Sequence, residues 1–166
     1  MTYIAFSRSP LGLGTVFFYY NVNYAILGAV AEALAETSYQ KACAVPGARL
    51  SAKTGAFASW GGWEMAAEDY ARFADRTFND GTFLRRAPRV KIEKNVFYGP
   101  GMTWSDTQMG ALFWHHGGVC FPLGLKVGSF VIGLEREWTV VTGCDGCISN
   151  AKRADLESVL LKAMLQ

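Results

Sequence analysis

No uninterrupted apolar run in this sequence reaches the roughly 18 residues of a membrane-spanning helix. Residues 11–20 come closest, but they contain Gly12 and Gly14 and run into Asn21 and Asn23. The start of the chain carries no basic segment ahead of an apolar core, so no signal peptide is expected and the compartment is left open. Charge is also scarce: charged residues make up 18% and the net charge is +2. Such a chain has no broad field to attract nucleic acid or anionic lipid, so any partner is selected locally. Repeats and low-complexity runs are absent. With apolar residues at 51%, long disorder is excluded, and 166 residues suit a single domain with a substantial core.

Cysteine is sparse, at four: Cys43, Cys120, Cys144 and Cys147. Cys144-Asp145-Gly146-Cys147 has the CxxC spacing of redox and metal sites. Asp145-Gly146 is equally an ordinary turn pair. The turn reading is preferred. A local disulfide, or a zinc site drawing on Cys43, Cys120, His115 and His116, is the alternative. Arg85, Arg86, Arg89, Lys91 and Lys94 fall within ten residues, opposed only by Glu93. Nucleic-acid binding needs a broader basic stripe with stacking aromatics, so a solvated loop or edge strand is expected instead.

Periodicity predicts a helix over residues 23–36, with Ile26, Leu27, Val30, Ala31 and Leu34 on its apolar stripe. A second helix is predicted over 66–78, with Glu68 and Asp69 in the first turn and Tyr70, Phe73, Ala74 and Phe78 on one face. Short β-rich runs at 129–134 and 137–142 read as a hairpin through Glu135-Arg136, and 113–119 reads as a third strand. A last helix over 154–165 is capped by Ser149 or Asn150 and has Leu156, Val159, Leu160, Ala163 and Met164 as its apolar face. The order predicts an α+β fold with an antiparallel sheet.

Two constellations carry possible chemistry. In Tyr19-Tyr20-Asn21, a phenol stands at a loop-to-helix junction with an amide two residues on. These are suited to proton transfer and to anchoring a substrate, although a buried tyrosine and a capping asparagine explain them too. In His115-His116-Gly117-Gly118, a histidine strand ends in glycines whose N–H groups a carbonyl can approach closely.

Together with their surroundings these segments resemble a known family. Gly14-Thr15-Val16-Phe17-Phe18-Tyr19-Tyr20-Asn21-Val22-Asn23-Tyr24-Ala25-Ile26-Leu27-Gly28 is similar to the Tyr-x-Asn motif of the serine hydrolases related to class C β-lactamases. That family includes penicillin-binding DD-peptidases, D-aminopeptidases and β-lactamase-like esterases. Gly61-Gly62-Trp63-Glu64-Met65-Ala66-Ala67-Glu68-Asp69-Tyr70-Ala71-Arg72-Phe73 resembles its Gly-Gly…Ala-Glu-Asp-Leu-Ala-Arg-Phe stretch. Tyr98-Gly99-Pro100-Gly101-Met102-Thr103-Trp104 resembles the segment before the third motif, and His115-His116-Gly117-Gly118 resembles that motif, His-x-Gly.

The resemblance implies the C-terminal part of a β-lactamase-like fold, with the N-terminal strands and the nucleophile helix missing. Tyr19 and His115 match its catalytic Tyr and strand His, and Asn21, Gly117 and Gly118 match substrate-binding positions. Substrates of the family are esters, amides or β-lactams, acylating a serine, and no metal or organic cofactor is implied. The family's nucleophile, in Ser-x-x-Lys upstream of Tyr-x-Asn, has no counterpart in the 18 residues before Tyr19. Ser38-Tyr39-Gln40-Lys41 spells the motif but follows Tyr-x-Asn, and Lys53-Thr54-Gly55 copies the lactamase third motif from within a loop. Both are read as coincidences. Met65-Ala66 stand where a Ser or Thr cap is usual, so a capping contact of about 1 kcal/mol is expected to be missing. Trp60, Trp63, Trp104, Phe113 and Trp114 read either as an apolar acyl pocket or as core. The family's sheet has five strands, two of them N-terminal. The strand over 137–142 is therefore expected to present an open edge, to be covered by a complementary N-terminal half or a second copy. The alternative is a non-catalytic binding or scaffold domain of the same fold.

Overall fold

The computed structural model describes residues 19–164. Gly14 to Phe18 of the first motif, the bulk of the 11–20 stretch, and Leu165 of the last helix lie outside the described residues. The first elements of the described residues are helix α1 (Asn21–Ala35) and the single-turn α2 (Tyr39–Ala42). The short strands β1 (Arg49–Leu50) and β2 (Trp63–Glu64) pair antiparallel around a 3-10 turn at Gly55–Phe57. Helices α3 (Ala67–Phe78) and α4 (Thr82–Arg86) follow. Next come β3 (Val90–Glu93), β4 (Val96–Tyr98), β5 (Thr103–Thr107), β6 (Gly110–Cys120), β7 (Lys126–Leu134) and β8 (Trp138–Cys144), and helix α5 (Asn150–Met164) is the last described element. The six later strands form one antiparallel sheet in sequence order. The fold is α+β: a six-strand antiparallel sheet packed against helices, with a small two-strand sheet beside it.

The sheet has three more strands than the periodicity predicts. β3, β4 and β5 are short, so alternation is hard to read in them; β5 is sustained by pairing with long β6, and β4 and β3 follow outward in turn. The basic run resolves as expected in part. Lys91 lies on the edge strand β3 and Lys94 in the β3–β4 turn, while Arg85 and Arg86 end α4. Arg89 lies over the rings of Phe97 and Trp104, at 5.4 and 5.5 Å from their centroids.

One sheet face carries the core. Phe97, Trp104, Phe113 and Gly133 occupy one cross-strand row. Trp104 and Phe113 are almost wholly buried, so these two aromatics belong to the core and do not line a pocket. A Cβ at Gly133 would stand 2.2 Å from the Phe113 ring, so only glycine fits under it. Helix α3 closes this face with Ala74 and Phe78, and Phe78 lies 5.9 Å from Phe113. As expected, no side chain caps α3, whose N-cap is Ala66.

The outer helices depart from their predicted faces. α1 buries Gly28, whose Cβ would stand 2.5 Å from Cβ of Ser59, and leaves Leu27, Val30 and Leu34 exposed. No other described element lies over that stripe. In α5 the inward side chains are Arg153, Leu156, Glu157, Leu160 and Leu161, whereas Val159, Ala163 and Met164 face out. Ser149 caps it, its Oγ accepting from Lys152 N at 3.3 Å.

The two hairpin turns at one end of the sheet are tied by a carboxylate. Glu135, in the β7–β8 turn, accepts from Ala111 N at 2.8 Å and from Arg85 Nη1 at 2.9 Å, and Arg85 also reaches Asp106 at 3.1 Å. The Arg85 guanidinium and the Ala111 N–H hold the Glu135 carboxyl down at about 2. We predict that Glu135→Ala costs about 2 kcal/mol, since the Ala111 N–H loses its acceptor while the half-exposed Arg85 regains water. Because folding lowers this pKa, its contribution is complete above the ordinary carboxyl value of 4.5 and fades as pH falls towards 2. In urea melts, wild type and variant should differ at pH 7, and the difference should be much smaller at pH 2.5.

Candidate functional site

β6 is longer than its neighbour on one side. β5 pairs with it from Gly110 to Trp114 only, whereas β7 pairs with it from Leu112 on to its end at Cys120. Residues 115–120 therefore overhang, with one backbone edge lacking a strand partner among the described residues. This overhang holds His115, His116, Gly117 and Gly118. In an antiparallel strand, alternate N–H and C=O groups point to such an edge, where an extended or carbonyl-bearing ligand finds donors already aligned.

Side-chain alternation divides the motif. His115 lies across from Val131 and Val141 and shares the core face with Phe113. Burial lowers its pKa, so the imidazole is neutral. His116 faces the other way, stacked on Phe130 with ring centroids 4.2 Å apart. Burial first, then Arg153, then His115 push its pKa down to about 4. Its Nε2 is buried without a hydrogen-bond partner among the described residues. A Cβ at Gly117 would stand 2.9 Å from Ser129 Oγ, so the glycine accommodates that hydroxyl. Gly118 is exposed and its Cβ position is nearly open, with only Val127 O, at 3.6 Å, close to it.

Tyr19 stands at the start of α1, next to the N-cap Tyr20. Its ring lies 5.7 Å from that of Tyr98 and 5.9 Å from that of Tyr24, and the Tyr24 and Tyr98 hydroxyls are hydrogen-bonded to one another. Tyr98 ends β4 in the row Tyr98, Thr103, Trp114, the last row before the overhang. Two strand spacings separate Tyr98 from Trp114, about 10 Å. The tyrosine cluster thus marks the same end of the sheet as the glycine motif, but from the face of Trp114, opposite the His115 side chain. Neither Tyr19 nor His115 is among the groups that shift the other's pKa. Asn21 is exposed in the first turn of α1. The structure therefore groups His115, Gly117 and Gly118 on one strand and Tyr19 with Asn21 on one helix start. It shows no direct contact between the two sets.

The chemistry expected of Tyr19 needs a phenol more acidic than usual. Here burial, and then Tyr24, raise its pKa. No ammonium is among the groups acting on it, so in the described residues nothing supplies the lowering field. The two lookalike motifs lie elsewhere. Ser38 is the N-cap of α2, exposed, and its carbonyl accepts from Lys41 N and Ala42 N. Lys53-Thr54-Gly55 forms the turn entering the 3-10 helix, off the six-strand sheet.

Two cavities lined by described residues contain none of Tyr19, Asn21, His115, Gly117 and Gly118. One, of about 490 Å³, lies between the Val45–Gly47 loop and α3; the other, of about 390 Å³, lies around Arg49, Ser51 and Glu64. Among the described residues no cluster of three His, Cys, Asp or Glu is placed to hold a metal. The cysteines resolve otherwise than the preferred turn reading: Cys120 and Cys147 form a disulfide, and Cys43 and Cys144 are free thiols. This pairing joins the end of β6 to the segment before α5. It cannot be read from the CxxC spacing, because the partner of Cys147 lies 27 residues away.

His116 offers a direct check of this geometry. Its folded pKa is lowered, so the unfolded chain takes the proton first and stability falls as pH drops from 6.5 towards 4. His116→Phe keeps a ring against Phe130 and removes the buried, unpartnered nitrogen. We predict that it reduces this loss to the share left by buried His115, measured as unfolding free energy against pH from 7 to 4. No family model, no curated protein and no solved structure matches the chain.

Proposed function

We propose that this chain is the C-terminal part of a serine hydrolase domain of the class C β-lactamase type, acting on an ester, amide or β-lactam. The observation that carries this reading is the β6 overhang, a glycine-ended histidine strand with one edge unpaired among the described residues, marked at the same end by the tyrosine cluster that starts α1. Gly118 supplies one N–H to the oxyanion of an acyl transfer, and a second donor comes with the nucleophile. Neutral His115 is the strand histidine beside the site, and Asn21 orients the substrate amide. Tyr19 moves the proton between the attacking serine and the leaving group. Its pKa, raised in the chain as described, requires a cation brought by the segment that carries the serine.

Two surfaces support a partner of that kind. β8 is the last strand of the sheet and pairs only with β7 among the described residues. The α1 stripe of Leu27, Val30 and Leu34 is exposed, an unusual concentration of apolar surface for a charge-poor domain. A complementary N-terminal half, or failing that a second copy, would cover the β8 edge by strand addition. No described helix is long and apolar enough to cross a membrane.

The test is acylation by a fluorescent β-lactam and by a nitrophenyl ester, on the chain alone and with a Ser-x-x-Lys polypeptide encoded upstream of it. Labelling is expected only in the combination, on the added serine, and Tyr19→Phe should slow it by about 100-fold or more. Labelling of the chain alone, through Ser38, would contradict the division of the site. No labelling in either case would leave the non-catalytic binding or scaffold domain, which the raised Tyr19 pKa also favours.

A further inference from the structure

Three of the four cysteines meet at one end of the sheet, where the proposed acyl-transfer chemistry gives them no task. Cys120 ends β6 and Cys144 ends β8. Gly118, Gly128 and Cys144 form one cross-strand row, and Cys120 follows Gly118 by two residues on the same face. Gly128 leaves room for the thiol between them: a Cβ there would stand 2.8 Å from Cys144 Sγ. After Cys144 the chain turns back at Asp145-Gly146, with Cys144 Sγ 3.6 Å from Gly146 O, and delivers Cys147 to Cys120 at a Cα–Cα distance of 5.8 Å. Cys120 and Cys147 are both exposed, and Cys144 is half-buried.

A free thiol three residues from one sulfur of an exposed disulfide has a second pairing within reach, because CxxC turns close a disulfide between their own cysteines. We propose that Cys144, Cys147 and Cys120 form an internal thiol–disulfide exchange site. The Cys144 thiolate, its proton lost to solvent, attacks Sγ of Cys147. The Cys144–Cys147 bond forms, the Cys147–Cys120 bond breaks, and Cys120 leaves as a thiolate that takes up a proton. Nothing is oxidised or reduced overall, so no outside oxidant or reductant is needed. The exchange converts a link between β6 and the segment entering α5 into one closed within the Cys144–Cys147 turn. It also leaves a reactive thiol on Cys120, two residues from Gly118. This inference does not rest on the hydrolase reading.

Trypsin separates the two states without ambiguity. Cys120 falls in peptide 95–126, Cys144 and Cys147 fall together in peptide 137–152, and Cys43 falls on neither. The disulfide-intact chain is held at pH 8 without added thiol, quenched in acid, unfolded, alkylated with N-ethylmaleimide at mildly acidic pH and digested. The proposal expects two species side by side. In one, the peptides are cross-linked and Cys144 carries the label. In the other, peptide 137–152 is internally bridged and Cys120 is labelled on a separate peptide. Cys144→Ser should abolish labelling of Cys120, and the exchanged fraction in wild type should not change with protein concentration. Cross-linked peptides alone in the wild type would overturn the proposal. So would labelling of Cys120 that persists in Cys144→Ser, which would assign the opening of the disulfide to an outside thiol.

Discussion

The Glu135 carboxylate sets the register on which the rest of the sheet depends. It accepts from the Ala111 N–H at the start of β6 and from Arg85 at the end of α4, while its own N–H donates to Ala111 O at 2.9 Å. The next residue, Arg136, donates its N–H to both the carbonyl and the side-chain oxygen of Asn79, just after α3. Two hairpin turns and two helix ends are thereby pinned at one end of the sheet. With pairing counted from that end, the short β5 runs out at Trp114 while β6 and β7 continue. The overhang of residues 115–120 follows from unequal strand lengths measured from a common anchor.

The two ends of the sheet are therefore built for different tasks. At the anchored end Phe113 and Trp104 are sealed beneath α3, which adds its own Phe78 to the cluster, and burying such rings contributes about 2–3 kcal/mol each. At the other end glycines replace bulk, a backbone edge has no strand partner among the described residues, and the covalent link from Cys120 to Cys147 does what side-chain packing does elsewhere. Three of the apolar side chains left outside are grouped. Leu27, Val30 and Leu34 lie along one side of α1, a pattern that costs a solitary domain solubility and suits a surface met by another polypeptide.

Legibility in the sequence followed the strength of local periodicity. The helix around Tyr70, Phe73, Ala74 and Phe78 was evident because its apolar face is narrow and its charges lie opposite. The strands β7 and β8 were evident from their β-branched residues, and β6 from its aromatic run ending in glycines. Val96-Phe97-Tyr98 and Thr103 to Thr107 carried no such signal, since a three-residue strand and a polar one take their conformation from neighbours. The stripe on α1 was visible as a pattern, but which side would be buried was not: Gly28 is chosen by its fit against Ser59, a tertiary contact. The same holds for the sulfur pairing, where turn chemistry at Asp145-Gly146 was legible and the partner of Cys147 was not. At the candidate site the residue types and order were legible. The direction of the Tyr19 pKa was not, because it depends on which rings and charges surround the phenol.

Amide hydrogen exchange along β6, read residue by residue by NMR, tests the central claim most directly. The account predicts uniform protection from Ala111 to Trp114, where both edges are paired. From His115 to Cys120 it predicts alternation, with amides bonded to β7 protected and those facing the open edge exchanging almost as fast as an unstructured chain. Protection of every amide through Cys120 would show that the edge is filled, and would contradict an accessible strand waiting for a substrate carbonyl.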